Sequence, residues 1–361
     1  MKRAAAAAIS LMTGLAMLTG CSRAEVEETI QPLVADAIEE SDSEAEAVKE
    51  EDESPLIPEI DTDIKIHAGS RIAVVSKCVK GEYWKMVKKG MEDAVKEINK
   101  AYGYKKDDQI TMTFEGPDNE EDVETQINTI DAVIAENPDV LCISASDMDS
   151  CEAQLEAAKE NGIPVIAFDS NVAEKKLVKA YRGTDNVQVG KMAAYQLGSA
   201  LGKMGKVAVF SAQQKTKSVQ DRVEGFMNNI GKYGDIEVVE TIYSDQVDDM
   251  EASMKEVLEK YPTLDGVFCT NADITEMYLN LEKSDEHDAP ALVGVDATTK
   301  QQEAIRNGEE IGCVSQQPYA MGYQTIWAAV ETTAPKKSVV IEKNVLSNPA
   351  WIDADCLDDP E

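Results

Sequence analysis

The sequence feature that most constrains the fold is a short apolar run at residues 164–168, which ends in Asp169, Ser170 and Asn171. A strand buried inside a parallel sheet has this appearance, because helices cover both of its faces. Ligands of open α/β sheets bind beyond the carboxyl ends of the strands. The pattern therefore predicts a parallel sheet with Asp169 at its ligand-binding edge.

The same pattern occurs a second time, where an apolar run at residues 290–295 ends in Asp296. Each run follows another strand-like segment that contains a proline, at residues 137–144 and 261–268. The repetition indicates two lobes built from βαβ units, each with a carboxylate at a strand end.

From Arg71 onward, strand-like and helix-like segments alternate along the chain. Such alternation is typical of parallel sheets with right-handed crossovers. Roughly ten such units exceed one comfortable sheet. The predicted fold class is α/β, with two doubly wound parallel-sheet lobes.

The N-terminus has the features of a bacterial lipoprotein signal peptide. Lys2 and Arg3 precede an apolar run at residues 4–18, and Leu-Thr-Gly-Cys, ending at Cys21, matches the lipobox. The match implies a signal peptide at 1–20, cleavage before Cys21 and acylation of that residue, which anchors a protein to a membrane when two or more chains are attached. The alternative is an ordinary signal peptide with an incidental cysteine.

Residues 21–69 are rich in Glu and Asp and poor in glycine. A segment of this composition cannot bury enough apolar surface to fold, so an acidic disordered tether is expected. The whole chain has a formal net charge of -33. Such acidity argues against nucleic acid as a partner, because phosphates require clustered Lys and Arg.

Sequence patterns of enzymes and metal sites are absent from the chain. It contains no GxGxxG, P-loop, GxSxG or HExxH motif and no CxxC pair, and its two histidines, His67 and His287, lie far apart. Cys142, Cys269 and Cys313 lie in apolar runs, where buried small side chains are expected. We therefore expect a protein that is not an enzyme and has no cofactor and no metal.

The polar and aromatic residues at predicted strand ends and helix starts suit a polyol ligand. Aromatic rings stack on sugar C–H faces, while carboxylates, amides and a guanidinium bind hydroxyls. Structural alternatives remain: helix capping for Asp169, Asp296 and Asn271, a hydrophobic staple for the aromatic pair, a surface ion pair for Arg222, and a plain strand end for Gln316. The candidate ligand-binding residues are Tyr83, Trp84, Asp169, Arg222, Asn271, Asp296 and Gln316.

Residues 71 to about 350 resemble the type 1 periplasmic binding protein domain of the ribose/galactose-binding family. The resemblance rests on Tyr83 and Trp84 after the first strand, on Gly183-Thr184-Asp185-Asn186, on Arg222-Val223-Glu224-Gly225-Phe226, on Val293-Gly294-Val295-Asp296 and on Gln316-Gln317-Pro318-Tyr319. It implies that the seven candidate residues contact a sugar. Ser170 departs from the pattern, since ribose binders have an arginine at this position. The loop that contains Lys77 is more basic than in the ribose pattern, and Lys77 is either a solvated lysine or a contact to an acidic ligand.

The resemblance also implies a domain arrangement and partners. The chain would cross between lobes near residues 183–185, near Gln317 and near residues 336–338, and the lobes would close on the ligand. A monomer that delivers a sugar-like solute to an ABC permease, on the extracytoplasmic face of the cell membrane, is expected. The implied parts are lobe one at 70–184 plus 318–336, lobe two at 185–316 plus 337–350, and a C-terminal tail at 351–361.

Other functions share this fold. A sensor module that presents its ligand to a membrane receptor or kinase would have the same folded domain. A sugar-responsive repressor would need a helix-turn-helix headpiece, and the lipobox and the net charge count against it. An enzyme is the weakest alternative, because the sequence offers no catalytic constellation.

Overall fold

A computed structural model of the chain describes residues 57–281, 289–335 and 338–358. The predicted signal peptide, Cys21, His287, most of the predicted tether and the last residues of the tail lie outside this part of the chain.

Within the described residues, twelve strands form two six-stranded sheets. The strands of the first sheet are β1 (Arg71–Val75), β2 (Thr111–Glu115), β3 (Val140–Ile143), β4 (Val165–Phe168), β5 (Ala180–Thr184) and β11 (Asn344–Ser347). Those of the second sheet are β6 (Met204–Ser211), β7 (Asp235–Tyr243), β8 (Gly266–Cys269), β9 (Ala291–Val295), β10 (Gly312–Ser315) and β12 (Ala350–Ile352).

The two sheets have the same topology. The first has the order β11-β5-β4-β3-β1-β2 and the second the order β12-β10-β9-β8-β6-β7. Strands β1 to β5 of the first sheet therefore correspond in turn to β6 to β10 of the second, and β11 corresponds to β12. All pairings are parallel except that of β12 with β10. The predicted βαβ repeat and the predicted α/β fold are confirmed.

Helices pack on both faces of each sheet. The first lobe contains the first sheet with α1 (Gly81–Tyr102), α2 (Val123–Ala135), α3 (Glu152–Glu160) and α9 (Pro318–Glu331). The second lobe contains the second sheet with α4 (Asn186–Ala200), α5 (Lys217–Ile230), α6 (Met250–Lys260), α7 (Ala272–Leu279), α8 (Thr299–Asn307) and α10 (Ala354–Asp358).

One close helix pair in each lobe depends on glycine. A Cβ atom on Gly90 of α1 would lie 2.0 Å from the carbonyl oxygen of Tyr319 on α9. In the second lobe, a Cβ atom on Gly190 of α4 would lie 1.9 Å from the carbonyl oxygen of Arg222 on α5. These contacts allow backbone-to-backbone packing and fix the position of the α5 turn that carries Arg222.

The C-terminal segment differs from the predicted lobe assignment. Residues 337–350 were expected in the second lobe, but β11 pairs in parallel with β5 of the first sheet. The third crossing therefore lies between Ser347 and Ala350 rather than near residues 336–338. The expected tail also begins inside a strand, because Trp351 and Ile352 belong to β12, which pairs with β10.

Residues 57–69 do not belong to the predicted disordered tether, because they pack against the first lobe. Tyr102 donates hydrogen bonds from its hydroxyl to the carbonyl oxygens of Asp61 and Ile64, both at 2.8 Å. Ile66 is buried against the first lobe. Ile60, Ile64 and Ile66 pack against the core of the first lobe. The many acidic residues around them explain why the composition of the segment did not predict this packing.

The six cysteines in the described part of the chain are free thiols. Cys142, Cys269 and Cys313 are fully buried, as their apolar surroundings predict. Among the residues that the structure describes, no helix has the length and apolar character needed to cross a membrane.

Candidate functional site

The carboxyl ends of both sheets border one cavity of about 180 Å³ between the lobes. All seven candidate residues predicted from the sequence line it, although they come from widely separated parts of the chain. The strand-end rule for α/β sheets thus brings together the residues that sequence order keeps apart.

Asp169 is the most heavily hydrogen-bonded residue of the first lobe's side of the cavity. It follows β4 with φ of +55°, a left-handed conformation that aspartate tolerates better than most residues. Its Oδ1 accepts a hydrogen bond from the Tyr83 hydroxyl at 2.7 Å, and its Oδ2 accepts from Ser144 Oγ at 2.8 Å and Ser170 Oγ at 3.1 Å. These bonds fix the carboxylate. Asp169 does not cap the helical turn that follows, Lys175–Leu177, because Glu174 does so.

Lys77 completes this cluster. Its Nζ lies 3.1 Å from Asp169 Oδ2 and 3.6 Å from Glu120 Oε2, and the residue is buried. The alternative of a solvated loop lysine is therefore wrong. Burial acts to lower the pKa of Lys77, but Asp169 and Glu120 outweigh it and raise the pKa. Burial acts to raise the pKa of Asp169, but Lys77 and Arg222 outweigh it and lower the pKa.

Tyr83 and Trp84, the aromatic pair at the start of α1, differ in their position relative to the cavity. Tyr83 lines the cavity, and burial followed by the charge of Asp169 raises the pKa of its phenol, which keeps the hydroxyl as a donor. Trp84 is only 3% exposed, and its Nε1 donates to Glu120 Oε1 at 2.7 Å. Its ring also meets Tyr83 edge-on at a centroid distance of 5.2 Å. Trp84 thus lies mainly in the wall behind Lys77, whose Nζ is 5.6 Å from the ring centroid.

Arg222 and Asn271 present donors from the second lobe. Arg222 is buried; its Nε donates to Asn186 Oδ1 at 2.8 Å and its Nη1 to the Thr270 carbonyl oxygen at 2.7 Å, so it is not a surface ion pair. Asn271 caps α7 through its Oδ1, which accepts from the Ile274 amide at 3.2 Å. The capping alternative is thus confirmed for Asn271, and its amide nitrogen has no partner among the residues that the structure describes.

Asp296 and Gln316 form the remaining part of the site. Asp296, with φ of +97°, accepts from Gln316 Nε2 at 2.5 Å and from the Ala272 amide at the start of α7 at 2.9 Å. It does not cap the following helix α8, since Thr298 does so. Burial raises the pKa of Asp296 against the opposing effect of Arg222. Gln316 Oε1 accepts from Thr184 Oγ1 at 2.8 Å, so this amide is held from both sides.

Besides Glu82 in the first turn of α1, three acidic residues of the cavity were missed in the sequence: Glu120, Asp273 and Glu276. Glu120 follows β2, and the other two lie on α7, which follows β8. The same strand-end rule that selected Asp169 applies to the loops after β2 and β8. Burial, followed by the charges of Glu120 and Asp296, raises the pKa of Asp273 to about 6.

Several hydrogen bonds join the two lobes around the cavity. Ser170 Oγ lies 2.6 Å from Ser218 Oγ, and Thr216 Oγ1 donates to the Ser146 carbonyl oxygen at 2.6 Å. On the opposite side, Glu82 Oε2 accepts from the backbone amide of Thr299 at 2.9 Å and from its hydroxyl at 3.0 Å. The lobes are therefore in direct contact on both sides of the cavity.

Comparison with known proteins places this geometry in a family. The sequence profile of the periplasmic binding protein domain matches residues 72–337. The chain belongs to this family of extracytoplasmic solute-binding proteins of transport systems, which confirms the resemblance, the two-lobed fold and the predicted binding function.

Individual relatives agree with the family match. The ribose import binding protein RbsB of Bacillus subtilis (strain 168) is 26% identical over 220 residues, which cover 61% of this chain and 71% of that protein. An ABC transporter solute-binding protein of Agrobacterium vitis, solved with bound D-fucose, has a TM-score of 0.72 and 26% identity, and the match covers 81% of this chain and 98% of that one. A second protein of that organism, bound with α-D-tagatopyranose, has the same fold, with a TM-score of 0.73, 24% identity and coverage of 81% and 97%.

Proposed function

We propose that this protein is a lipid-anchored, extracytoplasmic binding protein that captures a monosaccharide or similar polyhydroxylated solute between its lobes and delivers it to an ABC importer. The relatives that bind or import sugars support the ligand class. The residues that bind the solute are those that line the cavity, above all Arg222, Asn271 and Tyr83.

The observation that carries the proposal is a pair of hydrogen-bond donors without a protein acceptor. Within the described part of the chain, neither Nη2 of Arg222 nor Nδ2 of Asn271 has a hydrogen-bond partner. Both side chains line the cavity and are at least nine-tenths buried. A ligand that displaces water from the cavity must supply acceptors for these donors, and the hydroxyl oxygens of a polyol are suitable acceptors.

Lobe closure gives the bound form a distinct shape. The cross-lobe contacts of Ser170, Thr216 and Glu82 hold the lobes together across the cleft, and an opening of the cleft would break them. A solute that contacts both lobes stabilises the closed form by its differential affinity for that state. The permease then has a closed surface to recognise, and a monomer suffices for this mechanism.

Isothermal titration calorimetry of the full chain with pentoses, hexoses, polyols and nucleosides tests the proposal. We expect saturable binding of at least one hydroxylated solute. An Arg222→Met variant should bind it at least about tenfold more weakly, since a hydrogen bond to a charged group contributes about 1.5–3 kcal/mol. The exposed Arg306, which lies on α8 outside the cavity lining, provides the matched control Arg306→Met. Equal affinities of the two variants would place the ligand elsewhere.

The proposed anchor has a separate test. A Cys21→Ala variant should leave the membrane fraction and lose its acyl chains, whereas Cys356→Ala, which changes an exposed thiol, should stay membrane-bound. Retention of Cys21→Ala in the membrane fraction would show that the lipobox match is incidental.

A further inference from the structure

The cavity carries more negative than positive charge. Six carboxylates and four cationic side chains line it. The two buried cations already have partners in the protein: Lys77 contacts Asp169 and Glu120, and Arg222 donates to Asn186 and Thr270. Of the two exposed lysines, Lys80 pairs with Asp118. The cations of the protein therefore leave part of the acidic lining uncompensated.

Asp273 is the carboxylate that lacks compensation. It lies in the first turn of α7, and no hydrogen bond or ion pair of its side chain occurs within the described residues. Asp273 lines the cavity but is itself an exposed residue. Partial burial of its carboxyl group raises its pKa to about 6, and the charges of Glu120 and Asp296 act in the same direction, against that of Lys77. A free carboxylate beside other carboxylates is an acceptor for a cation.

The two like charges come from opposite lobes. Glu120 belongs to the first lobe and Asp273 to the second, and the loop of Glu120 is held against the second lobe by Gln213, whose Nε2 donates to the Glu120 carbonyl oxygen at 3.1 Å. Both side chains line the same cavity, so their carboxylates face it from opposite lobes. A cation bound between them removes the repulsion in the closed form, whereas a neutral solute leaves it in place.

The free donors of the same cavity require a ligand with oxygen acceptors as well. Arg222 Nη2 and Asn271 Nδ2 have no protein partner in the described part of the chain, and both residues line the cavity, so a ligand there must offer acceptors besides any cationic group. A metal ion does not meet this requirement, and the described residues contain no group of three or more His, Cys, Asp or Glu arranged to hold one.

We infer that the solute is a polyol that carries a protonated amine, that is, an amino sugar or an amino polyol. Its ammonium group lies between Asp273 and Glu120, and its hydroxyls accept from Arg222 and Asn271. An ammonium offers three donors to the carboxylates, and charge-assisted bonds of this kind are about twice as strong as neutral ones. The inference rests on the proposed function and narrows its ligand class.

Matched ligand pairs test the inference by calorimetry on the full chain at pH 7.5. The probes are glucose with glucosamine, galactose with galactosamine and mannose with mannosamine, each with its N-acetyl derivative, which keeps the nitrogen but removes the charge. Putrescine serves as an amine without hydroxyls. We expect one amino sugar to bind at least about tenfold more tightly than its neutral parent and its N-acetyl derivative.

The Asp273→Asn variant removes the charge and keeps the shape of the side chain. It should reduce the preference for the amino sugar to about threefold or less, without weakening the binding of the neutral parent. The control is Glu124→Gln, because Glu124 is also exposed in the first turn of a helix, α2, but lies outside the cavity. In the wild type, the preference should also fall between pH 7.5 and pH 5, as Asp273 becomes protonated.

The outcomes separate the inference from the proposed function. Equal or tighter binding of the neutral parents overturns the inference and leaves the proposed function standing. An unchanged amine preference in Asp273→Asn overturns the assignment of the ammonium site. Absence of binding by every sugar and amino sugar, or binding of putrescine as tight as that of the best amino sugar, overturns both.

Discussion

Ser170 and Ser218 join the two lobes through a hydroxyl–hydroxyl hydrogen bond of 2.6 Å. Ser170 donates to Asp169 at 3.1 Å, so Ser218 is the donor in the bond across the cleft. Ser170 is also the position at which the sequence departs from the ribose-binding pattern. The residue that replaces an expected ligand-binding arginine thus links the lobes directly.

Loss of the Ser218 hydroxyl should weaken ligand binding without unfolding the protein. A neutral hydrogen bond contributes about 1 kcal/mol, so Ser218→Ala should lower affinity by about fivefold, because only the closed form contains the bond. Calorimetry with the identified solute measures this change. Ser253→Ala, which removes a hydroxyl on α6 that donates to the Asp249 carbonyl oxygen, is the control. An unchanged affinity of Ser218→Ala would show that this contact does not contribute to closure.

Lys77 should stabilise the folded state in a pH-dependent way. The pKa of Asp169 is lowered in the folded protein, so the stabilisation is present above the ordinary aspartate pKa of about 4 and is lost as the pH falls through the folded value. Lys77→Met leaves a buried carboxylate without its nearest cation, which should reduce the free energy of unfolding by about 3 kcal/mol at pH 7. Urea unfolding at pH 7 and pH 3.5 measures this loss, which should be smaller at the lower pH.

The exposed Lys176 provides the control for this comparison, as Lys176→Met removes the charge of a lysine that lies outside the cavity lining. A loss of stability in Lys77→Met that is the same at both pH values would contradict the assigned role of the ion pair.

Asp273 should have the opposite effect on stability. Its pKa is raised to about 6 in the folded protein, so its ionised form opposes folding above that pH, and the penalty disappears as the pH falls toward the ordinary aspartate value. Without ligand, Asp273→Asn should therefore have a higher melting temperature than the wild type at pH 8, and the difference should shrink by pH 5. Differential scanning calorimetry gives both values; a melting temperature that is lower at pH 8 in the variant would refute this electrostatic account.

Gly190 should be intolerant of any side chain. A Cβ atom there meets the Arg222 carbonyl oxygen at 1.9 Å, so α4 and α5 must separate. Overpacking costs typically about 1–3 kcal/mol, and the separation also displaces Arg222 from the cavity. Gly190→Ala should lose both stability and affinity, whereas Gly234→Ala, where the added atom has open space, should lose neither. Similar behaviour of the two variants would disprove the packing argument.

The sequence predicts the parts of this structure that depend on buried strands. A strand covered on both faces is a continuous apolar run, so β4 and β9 and the aspartates that follow them are visible without a structure. The place of the edge strand β11 in the first sheet is not visible in this way, because its burial is incomplete and Leu346 remains 49% exposed. Its pairing with β5 depends on contacts across about 160 residues of chain, which no local pattern contains.

The candidate site was only partly predictable for a similar reason. Residues directly after an apolar run, such as Asp169, are identified by position alone. Lys77 and Glu120 lie in polar loops, where charged residues are ordinary, and their burial arises only when the loops after β1 and β2 meet above Asp169. The stacking role predicted for Trp84 overlooked that its indole is held by Glu120 and shielded by Lys77.

Tryptophan fluorescence of the full chain, titrated with sugars, amino sugars, polyols and nucleosides, tests the central claim that a polyhydroxylated solute binds in the cavity. The chain has three tryptophans, of which Trp84 lines the cavity, while Trp327 and Trp351 lie on α9 and β12. We expect a saturable change for one solute at micromolar concentration, and its loss in the Trp84→Phe variant. No response to any member of the panel, or an undiminished response with Arg222→Met, would contradict the claim.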